Sequence, residues 1–450
     1  MTSLSLGLLA CALAALLALL GALPASAETA RSAKAFTDSA GVNTHLGYTD
    51  TVYWQNWPMI RDRLLELGVS HIRDGTYPAE YPDLIGPTTA ARYKELGLGL
   101  NLLVGHEQAM EGRTTLQDRL DWIKANNLAP QTIGIEGTNE FYIGVDHKDD
   151  WDHDAARIKA LRDMQCEINS RVKNDAAFNG AEVIAPSGGM PFYEDIWHFH
   201  VAYGYGDLAA CMDRGNLHPY PGGDPPHLHQ SRDPDVARQW AGHVDAGEPQ
   251  WITENGYWTK SPNGSHVSEQ AQGVYVPRMA LEHFRRGNER FQLYELIDLN
   301  SGSNEIIDNF GLLRTDGTRK PAFDKLRDLL SLTKDTKDSI GSLDFTIACT
   351  ASCHSPERHV LMRHSDGSYL LAYWSESRVG DGNQDTPQPD QAVDVTLAEA
   401  PGQVELYSVA NGTTPLSTDA SGSKVVKTHA TDDVRLLRIT PAASAPAPRL

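Results

Sequence analysis

Residues 132–140 read Thr-Ile-Gly-Ile-Glu-Gly-Thr-Asn-Glu, and this stretch decides the fold. An apolar segment typical of a buried β-strand runs into Gly137 and ends at the pair Asn139 and Glu140. Residues 250–258, Gln-Trp-Ile-Thr-Glu-Asn-Gly-Tyr-Trp, form a second short apolar strand that ends at Glu254. The sequence therefore predicts two strand ends, far apart in the chain, that each present a carboxylate.

Around these two strands, short apolar runs alternate with amphipathic segments from residue 36 to residue 334. Eight strand–helix units are predicted, the first strand at 41–45 and the last at 291–297. Eight units over roughly 300 residues predict a (β/α)₈ TIM barrel, in which active residues project from the C-terminal ends of the strands. A doubly wound open sheet would normally need a glycine-rich phosphate turn early in the chain, and the sequence has none.

The pattern changes after residue 335, where strand-like runs follow one another at short intervals. Turn pairs such as Asp366-Gly367 and Asn411-Gly412 separate them, which predicts a small all-β sandwich over residues 340–442. Residues 443–450 are rich in alanine and proline and are expected to be disordered. The predicted fold class is thus α/β, a TIM barrel with an appended C-terminal β-sandwich.

Residues 1–27 carry no charged side chain and consist mostly of leucine and alanine. They end in the small-residue run 24–27, Pro-Ala-Ser-Ala, which predicts a secretory signal peptide. A retained membrane anchor is the less favoured alternative, suggested by the missing basic residues at the start. No later apolar run is long enough to span a bilayer, so we expect a soluble, secreted, extracellular protein.

The formal net charge is −20 and lies outside the predicted signal peptide. Nucleic acid and anionic membranes are therefore poor partners, and a neutral poly- or oligosaccharide fits better. The four cysteines after residue 27 favour disulfides in an exported chain. Cys349 and Cys353 would close a small loop. The sequence leaves open whether Cys166 pairs with Cys211 or both are buried free thiols.

The predicted barrel strands end in polar residues suited to chemistry on a sugar. The second ends at Arg73, the fourth at Asn139 and Glu140, the sixth at His218 and Tyr220, and the seventh at Glu254. This order resembles clan A of the glycoside hydrolases, with families 39 and 5 closest, over about residues 41–326. One departure concerns the end of the eighth strand, where many members carry tryptophan and this chain has Tyr294 and Glu295.

The resemblance implies a retaining glycosidase that cleaves O-glycosidic bonds by double displacement, with Glu140 as acid/base and Glu254 as nucleophile. Such an enzyme holds one carboxyl protonated and one ionised, about 5 Å apart. We expect Glu140 to lie in the less solvated position and to carry the proton. Arg73 and the Tyr220 hydroxyl are expected to keep Glu254 ionised.

The remaining candidates contact the substrate in this interpretation. The Asn139 amide suits the sugar hydroxyl beside the reacting carbon, His218 is expected to line the site, and Trp258 is expected to stack on a sugar ring. No cofactor is implied. Two bland alternatives stay open: Arg73 could form a structural ion pair with Asp74, and His218 could be a core histidine.

Metal chemistry is disfavoured by the histidine spacing. His198 and His200 lie in a predicted helix, where positions two apart diverge, while His227 and His229 lack a third ligand at usable spacing. A metal-dependent barrel hydrolase is therefore the weakest hypothesis. The stronger alternative is a catalytically silent TIM-barrel glycan-binding protein, but a binder has no reason to keep a matched pair of glutamates. The sugar, its linkage, its anomeric configuration and the oligomeric state are not readable from the sequence.

Overall fold

The computed structural model describes residues 27–78, 84–105, 115–140, 151–187, 208–227, 249–262, 264, 266–351, 357–382 and 384–443. The first 26 residues of the predicted signal peptide and the tail from residue 444 lie outside the described residues. So do the helices predicted at 193–203 and 234–246, including His198 and His200, and the loop residue His229.

Eight parallel strands form the barrel, as the alternating pattern predicted. The sheet order is β6-β5-β4-β3-β2-β9-β8-β7. A parallel bridge between Ile184 and Arg214 joins the two outer strands and closes the cylinder. The strands are β2 (Ala40–Asn43), β3 (His71–Gly75), β4 (Gly99–Gly105), β5 (Thr132–Thr138), β6 (Glu182–Ile184), β7 (Gly215–Leu217), β8 (Gln250–Asn255) and β9 (Arg290–Leu293), preceded in the chain by β1 (Ala27–Ser32).

The described helices surround this barrel, and capping residues at their ends explain where some of them begin and end. One has proline in its first turn and ends at Gly68 with φ of 79°, a left-handed cap that glycine adopts without cost. Another begins with a capping box between Thr115 and Asp118. The helices are α1 (Ala33–Ser39), α2 (Val52–Gln55), α3 (Trp57–Leu67), α4 (Ile85–Leu96), α5 (Leu116–Ala125), α6 (Trp151–Lys173), α7 (Glu269–Arg285) and α8 (Pro321–Thr333).

A mixed nine-stranded sheet forms the second unit, in the order β17-β16-β19-β12-β11-β1-β10-β15-β18. The Tyr373 and Thr428 hydroxyls, on strands far apart in that order, lie 2.8 Å apart, so the two halves of the sheet face each other as in a sandwich. The later strands are β10 (Gly341–Ala351), β11 (Glu357–Arg363), β12 (Tyr369–Ser375), β13 (Gly380–Asp381), β14 (Gln384–Asp385), β15 (Gln391–Leu397), β16 (Pro401–Ser408), β17 (Ser417–Asp419), β18 (Val425–Ala430) and β19 (Arg435–Pro441).

Strand β12 connects the two units because both of its faces are buried. Leu370, Ala372 and Trp374 belong to the large core that includes the barrel. Leu371 and Tyr373 belong to the separate core inside the sandwich. Since side chains alternate along a strand, one strand serves two cores, and the sandwich packs on the barrel through apolar surface.

Strand β1, which was not predicted, lies in the interior of the sandwich sheet between β11 and β10. It pairs antiparallel with β10, Ala27 opposite Asp344, and parallel with β11, Arg31 opposite Met362. The start of the described chain thus completes a sheet whose other strands come from its end. Alanine-rich β1 has little strand propensity of its own, and tertiary pairing decides its conformation.

Cys166 of α6 forms a disulfide with Cys211, which settles the alternative left open by the sequence. Cys349 is also disulfide-bonded, while Cys353 lies outside the described residues. Among the helices of the described ranges, none has the length and apolar character needed to cross a membrane.

Candidate active site

Arg73, at the C-terminal end of β3, is the cation around which the site is built. Its Nε and Nη2 donate to the two oxygens of Glu136 at 2.8 and 2.7 Å, and its Nη1 donates to Glu254 Oε1 at 2.6 Å. Burial lowers the pKa of Arg73, but the two carboxylates outweigh burial and hold that pKa above its ordinary value. Asp74 accepts instead from Tyr77 and from backbone and threonine donors, so the alternative ion pair of Arg73 with Asp74 does not form.

Glu254, near the end of β8, receives a hydrogen bond on each carboxylate oxygen. Arg73 donates to Oε1, and the Tyr220 hydroxyl donates to Oε2 at 2.7 Å. Burial, together with the charge of Glu254, raises the pKa of Tyr220 well above its ordinary value, so the phenol stays protonated and remains a donor. The two donors expected from the sequence are therefore the two present.

Glu140 follows β5 in a left-handed backbone conformation, with φ of 39°, that few residues other than glycine adopt. Its backbone N–H donates to Ser187 Oγ at 3.1 Å, which fixes this turn. Its Oε1 lies 2.6 Å from His218 Nδ1, and the other ring nitrogen of His218 lies 2.9 Å from Thr253 Oγ1. A strained turn held by a neighbouring strand end is typical of functional positions.

The charges of Glu140 and His218 differ from the expectation. Burial raises the pKa of Glu140, but the hydrogen bond and charge of His218 outweigh it and hold that pKa below its ordinary value. Burial lowers the pKa of His218, while Glu254 and Glu140 raise it, and the net direction is upward. The proton of this pair therefore rests on His218 in the unliganded protein. The contact of His218 with Glu140 was not predictable from the sequence. His218 is fully buried and also belongs to the site, so it is both a core histidine and a site-lining residue.

Glu140, His218 and Glu254 present ligand atoms that all lie within 4.8 Å of one another. At least one oxygen of Glu140 thus lies within 4.8 Å of an oxygen of Glu254, a closer approach than the carboxyl separation of about 6.5–9.5 Å in inverting glycosidases. Carboxylate and imidazole atoms in this arrangement could also hold a metal ion. The guanidinium of Arg73, 2.6 Å from Glu254, already supplies the positive charge and would repel a cation at that oxygen.

Two further polar residues complete the interior of the site. Asn139 Oδ1 accepts from Arg73 Nη2 at 2.6 Å, which leaves the amide nitrogen of Asn139 as the group able to donate to a ligand. Glu136, which the sequence interpretation did not assign, is fully buried and also accepts from Asn101 at 2.8 Å. Glu136 lies within β5, and a charged residue inside an otherwise apolar predicted strand was the available signal.

Phe310 organises the aromatic wall of the site. Its ring makes edge-to-face contacts with Tyr220, Trp258 and Tyr294, with centroid distances of 5.4, 5.4 and 5.2 Å. Trp258 is half-buried and lies in this wall through its contact with Phe310, and its stacking on a sugar ring stays a prediction. The sequence analysis assigned no role to Phe310.

Glu295 lies fully buried behind this wall, next to Tyr294. Its Oε2 accepts from the Tyr53 hydroxyl at 3.0 Å and lies 3.4 Å from His45 Nε2. Burial raises the pKa of Glu295 well above its ordinary value, and burial lowers the pKa of His45 to about 4. Both groups are therefore neutral at neutral pH.

Two glycines let these strand ends approach one another. A Cβ on Gly137 would lie 2.2 Å from Gln165 Oε1 and 3.0 Å from the backbone nitrogen of Pro186. A Cβ on Gly256 would lie 2.1 Å from the carbonyl oxygen of Tyr294. Gly137 lies near the end of β5, before Glu140, and Gly256 directly follows β8, which carries Glu254, so close backbone packing sets where Glu140 and Glu254 emerge.

The sequence matches no protein-family model and no curated protein. Solved structures of glycoside hydrolases are nevertheless similar to it in three dimensions. A family 39 glycoside hydrolase from the gut symbiont Bacteroides cellulosilyticus WH2 superposes with a TM-score of 0.59 at 15% identity, over 91% of this chain and 81% of that one. A glucosidase from Croceicoccus marinus gives 0.56 at 10% identity, over 94% and 100% of the two chains.

The catalytic domain of family 30 xylanase C from Talaromyces cellulolyticus gives a TM-score of 0.51 at 12% identity, over 92% of this chain and 99% of that one. The fold is one that clan A glycoside hydrolases share. At these identities the likeness concerns architecture, and it extends over both barrel and sandwich. The resemblance inferred from the strand-end residues is thus confirmed at the level of the fold.

Proposed function

We propose that this protein is an exported retaining glycosidase that cleaves an O-glycosidic bond by double displacement. The observation that carries the proposal is the placement of Glu140 and Glu254, whose carboxylate oxygens lie within 4.8 Å of each other at the C-terminal ends of β5 and β8. A gap of this size suits direct attack on the anomeric carbon, because an inverting enzyme needs room for a water molecule between its carboxyl groups.

Glu254 is the proposed nucleophile. Hydrogen bonds from Arg73 and Tyr220 hold both of its oxygens in place. In the first step a Glu254 oxygen bonds to the anomeric carbon while the bond to the leaving oxygen breaks. The amide nitrogen of Asn139 is proposed to donate to the adjacent sugar hydroxyl, a contact that strengthens as positive charge develops on the ring.

Glu140 is the proposed acid/base, working together with His218. The pair holds one proton along the 2.6 Å contact between Oε1 and Nδ1. When substrate fills the site, that proton moves to Glu140 and then to the leaving oxygen. In the second step Glu140 removes a proton from water, which attacks the anomeric carbon and releases Glu254. Thr253, 2.9 Å from Nε2, keeps the imidazole oriented throughout.

The charges at the site favour a neutral sugar. Arg73 already contacts two carboxylates, Glu136 and Glu254, and His218 pairs with Glu140. A substrate carboxylate would therefore meet a net negative surrounding in this group of residues. Export is proposed from the signal-peptide pattern of residues 1–27 and fits the disulfide between Cys166 and Cys211.

Hydrolysis of a panel of aryl glycosides, followed by NMR of the first-formed anomer, tests the proposal. We expect retention of anomeric configuration and no effect of a chelator. Inversion would contradict the double displacement, chelator-sensitive turnover would favour metal chemistry, and inactivity across a broad panel would favour a glycan-binding protein.

The Glu140→Gln variant tests the acid. It should lose about 10²- to 10⁴-fold of kcat/KM on substrates with poor leaving groups and little on activated ones, because only a basic leaving oxygen needs a proton. Exposed Glu305 supplies the control Glu305→Gln, which should behave like the wild type. Equal losses of the Glu140 variant on both substrate types would remove its assigned role.

A further inference from the structure

The loop after β7 connects the proposed nucleophile to the sandwich. It begins with His218 and Tyr220 of the site and continues through a turn in which the Asp224 N–H donates to the Pro221 carbonyl at 3.2 Å. A barrel residue also holds this turn, because the Tyr257 hydroxyl donates to the Asp224 carbonyl at 2.9 Å.

The sandwich holds the same loop from the other side. Arg378, just after β12, forms an ion pair with the Asp224 carboxylate and donates from Nη1 to the Gly223 carbonyl at 3.2 Å. Two residues earlier, Glu376 Oε1 lies 2.8 Å from His227 Nδ1. These two atoms are close but do not form a hydrogen bond, so their interaction is electrostatic. The guanidinium of Arg378 therefore makes the directional contacts.

The sandwich segment that carries Arg378 is itself fixed. Buried Arg278 of α7 donates to the Ser377 carbonyl at 2.9 Å and to the Asp432 carbonyl at 2.8 Å. The N–H of Val379 donates to the Tyr275 hydroxyl at 2.8 Å. Because Arg278 and Tyr275 belong to a barrel helix, the segment is anchored on both units and can transmit a fixed position to the loop.

From these contacts we propose that Arg378 is a positioning residue of the active site. By holding the loop at Gly223 and Asp224, it keeps the Tyr220 hydroxyl on Glu254. The inference rests on the proposed glycosidase function for its kinetic consequence, but the contact itself is independent of any activity. In this proposal the sandwich helps to set the geometry of the active site without contacting the substrate.

Hydrogen–deuterium exchange of the peptide 218–227 tests the contact without substrate. Arg378→Ala should exchange faster there than the wild type. Arg438→Ala is the matched control, since Arg438 is a partly exposed arginine of the same sandwich that pairs with Asp366 away from the loop. It should leave exchange in 218–227 unchanged. Unchanged exchange in Arg378→Ala would overturn the proposal.

Kinetics test the consequence. Arg378→Ala should lower kcat by about tenfold with little change in KM, because small misplacements of a reacting group are costly, and Arg378→Lys should recover part of the loss. Combined with Tyr220→Phe, Arg378→Ala should cost no more than about a further twofold, since both changes disturb one hydrogen bond. Additive losses would overturn the proposal. Faster exchange with no turnover by the wild type would leave the contact standing and refute the glycosidase function instead.

Discussion

Two buried glutamates at neighbouring strand ends, Glu254 near the end of β8 and Glu295 just after β9, occupy opposite electrostatic surroundings. Each accepts a hydrogen bond from a tyrosine hydroxyl, Glu254 from Tyr220 at 2.7 Å and Glu295 from Tyr53 at 3.0 Å. Glu254 also contacts the Arg73 guanidinium at 2.6 Å. Glu295 lies 3.4 Å from the neutral His45. Burial raises the pKa of Glu295 well above its ordinary value and outweighs the hydrogen bond from Tyr53 and the charge of Lys320.

A glutamate at the same end of the barrel can therefore serve either as the proposed nucleophile or as a neutral residue of the pocket wall, depending on its surroundings. A tyrosine hydroxyl alone does not compensate for burying a carboxylate, because ionisation in a buried site requires a counter-charge. The Arg73 guanidinium pairs with Glu254, whereas no lysine or arginine of the described residues forms an ion pair with Glu295. Four substitutions distinguish the two glutamates, and their expected effects on activity decrease from Glu254→Gly to Glu295→Gln.

Glu254→Gly should lower kcat/KM on the order of 10⁴-fold or more, because no covalent intermediate can form. Added azide should restore turnover and yield a glycosyl azide of configuration opposite to the substrate, which NMR identifies. Glu295→Gly provides the counterpart and should show no azide product. If azide rescues neither variant, Glu254 is not the nucleophile.

Tyr220→Phe should lower kcat/KM about 10- to 100-fold, since a hydrogen bond to a charged group contributes about 1.5–3 kcal/mol. The ring contact with Phe310 remains in this variant, so steady-state kinetics isolate the effect of the hydroxyl. An unchanged kcat/KM would mean that the Tyr220 hydroxyl does not act on Glu254.

Tyr53→Phe removes the matching hydroxyl from the neutral glutamate. We expect kcat/KM to change by less than about threefold, whereas the free energy of unfolding falls by about 1–3 kcal/mol because a buried carboxyl loses its donor. Urea unfolding alongside steady-state kinetics separates the two effects. A kinetic loss as large as that of Tyr220→Phe would abolish the distinction between the two glutamates.

Glu295→Gln should have the smallest effect on activity, since an amide replaces a neutral acid of the same shape. Its effect appears in stability. The folded protein keeps a proton on Glu295 that the unfolded chain has lost above pH 4.5, so wild-type stability declines as pH rises until that group ionises. Relative to Glu295→Gln, the wild type should lose up to about 1.4 kcal/mol per pH unit.

Unfolding of both proteins between pH 7 and pH 9 measures this slope and avoids the titration of His45, whose pKa is about 4. Glu305→Gln, at an exposed position, is the control and should follow the wild type at every pH. Parallel stability curves for Glu295→Gln and the wild type would show that Glu295 is ionised in the folded protein.

Much of the fold was predictable because its signals are local. The apolar runs that end at Glu140 and Glu254, and the helix stop at Gly68, are encoded within a few residues of one another, so the eight barrel strands were found at their observed places. Strand β1 was missed, because a short alanine-rich segment becomes a strand only when β10 and β11 lie on either side of it.

The candidate site divides in the same way. The side chains at the ends of the barrel strands could be identified from the order of residues alone, because strand alternation and strand ends are local features. They include Arg73, Glu140, His218 and Glu254. Only the tertiary structure decided their charges. Glu136 was overlooked, Glu140 was expected to hold the proton that His218 holds, and Glu295 is neutral, because a buried carboxyl takes its pKa from groups brought together by folding from distant parts of the chain.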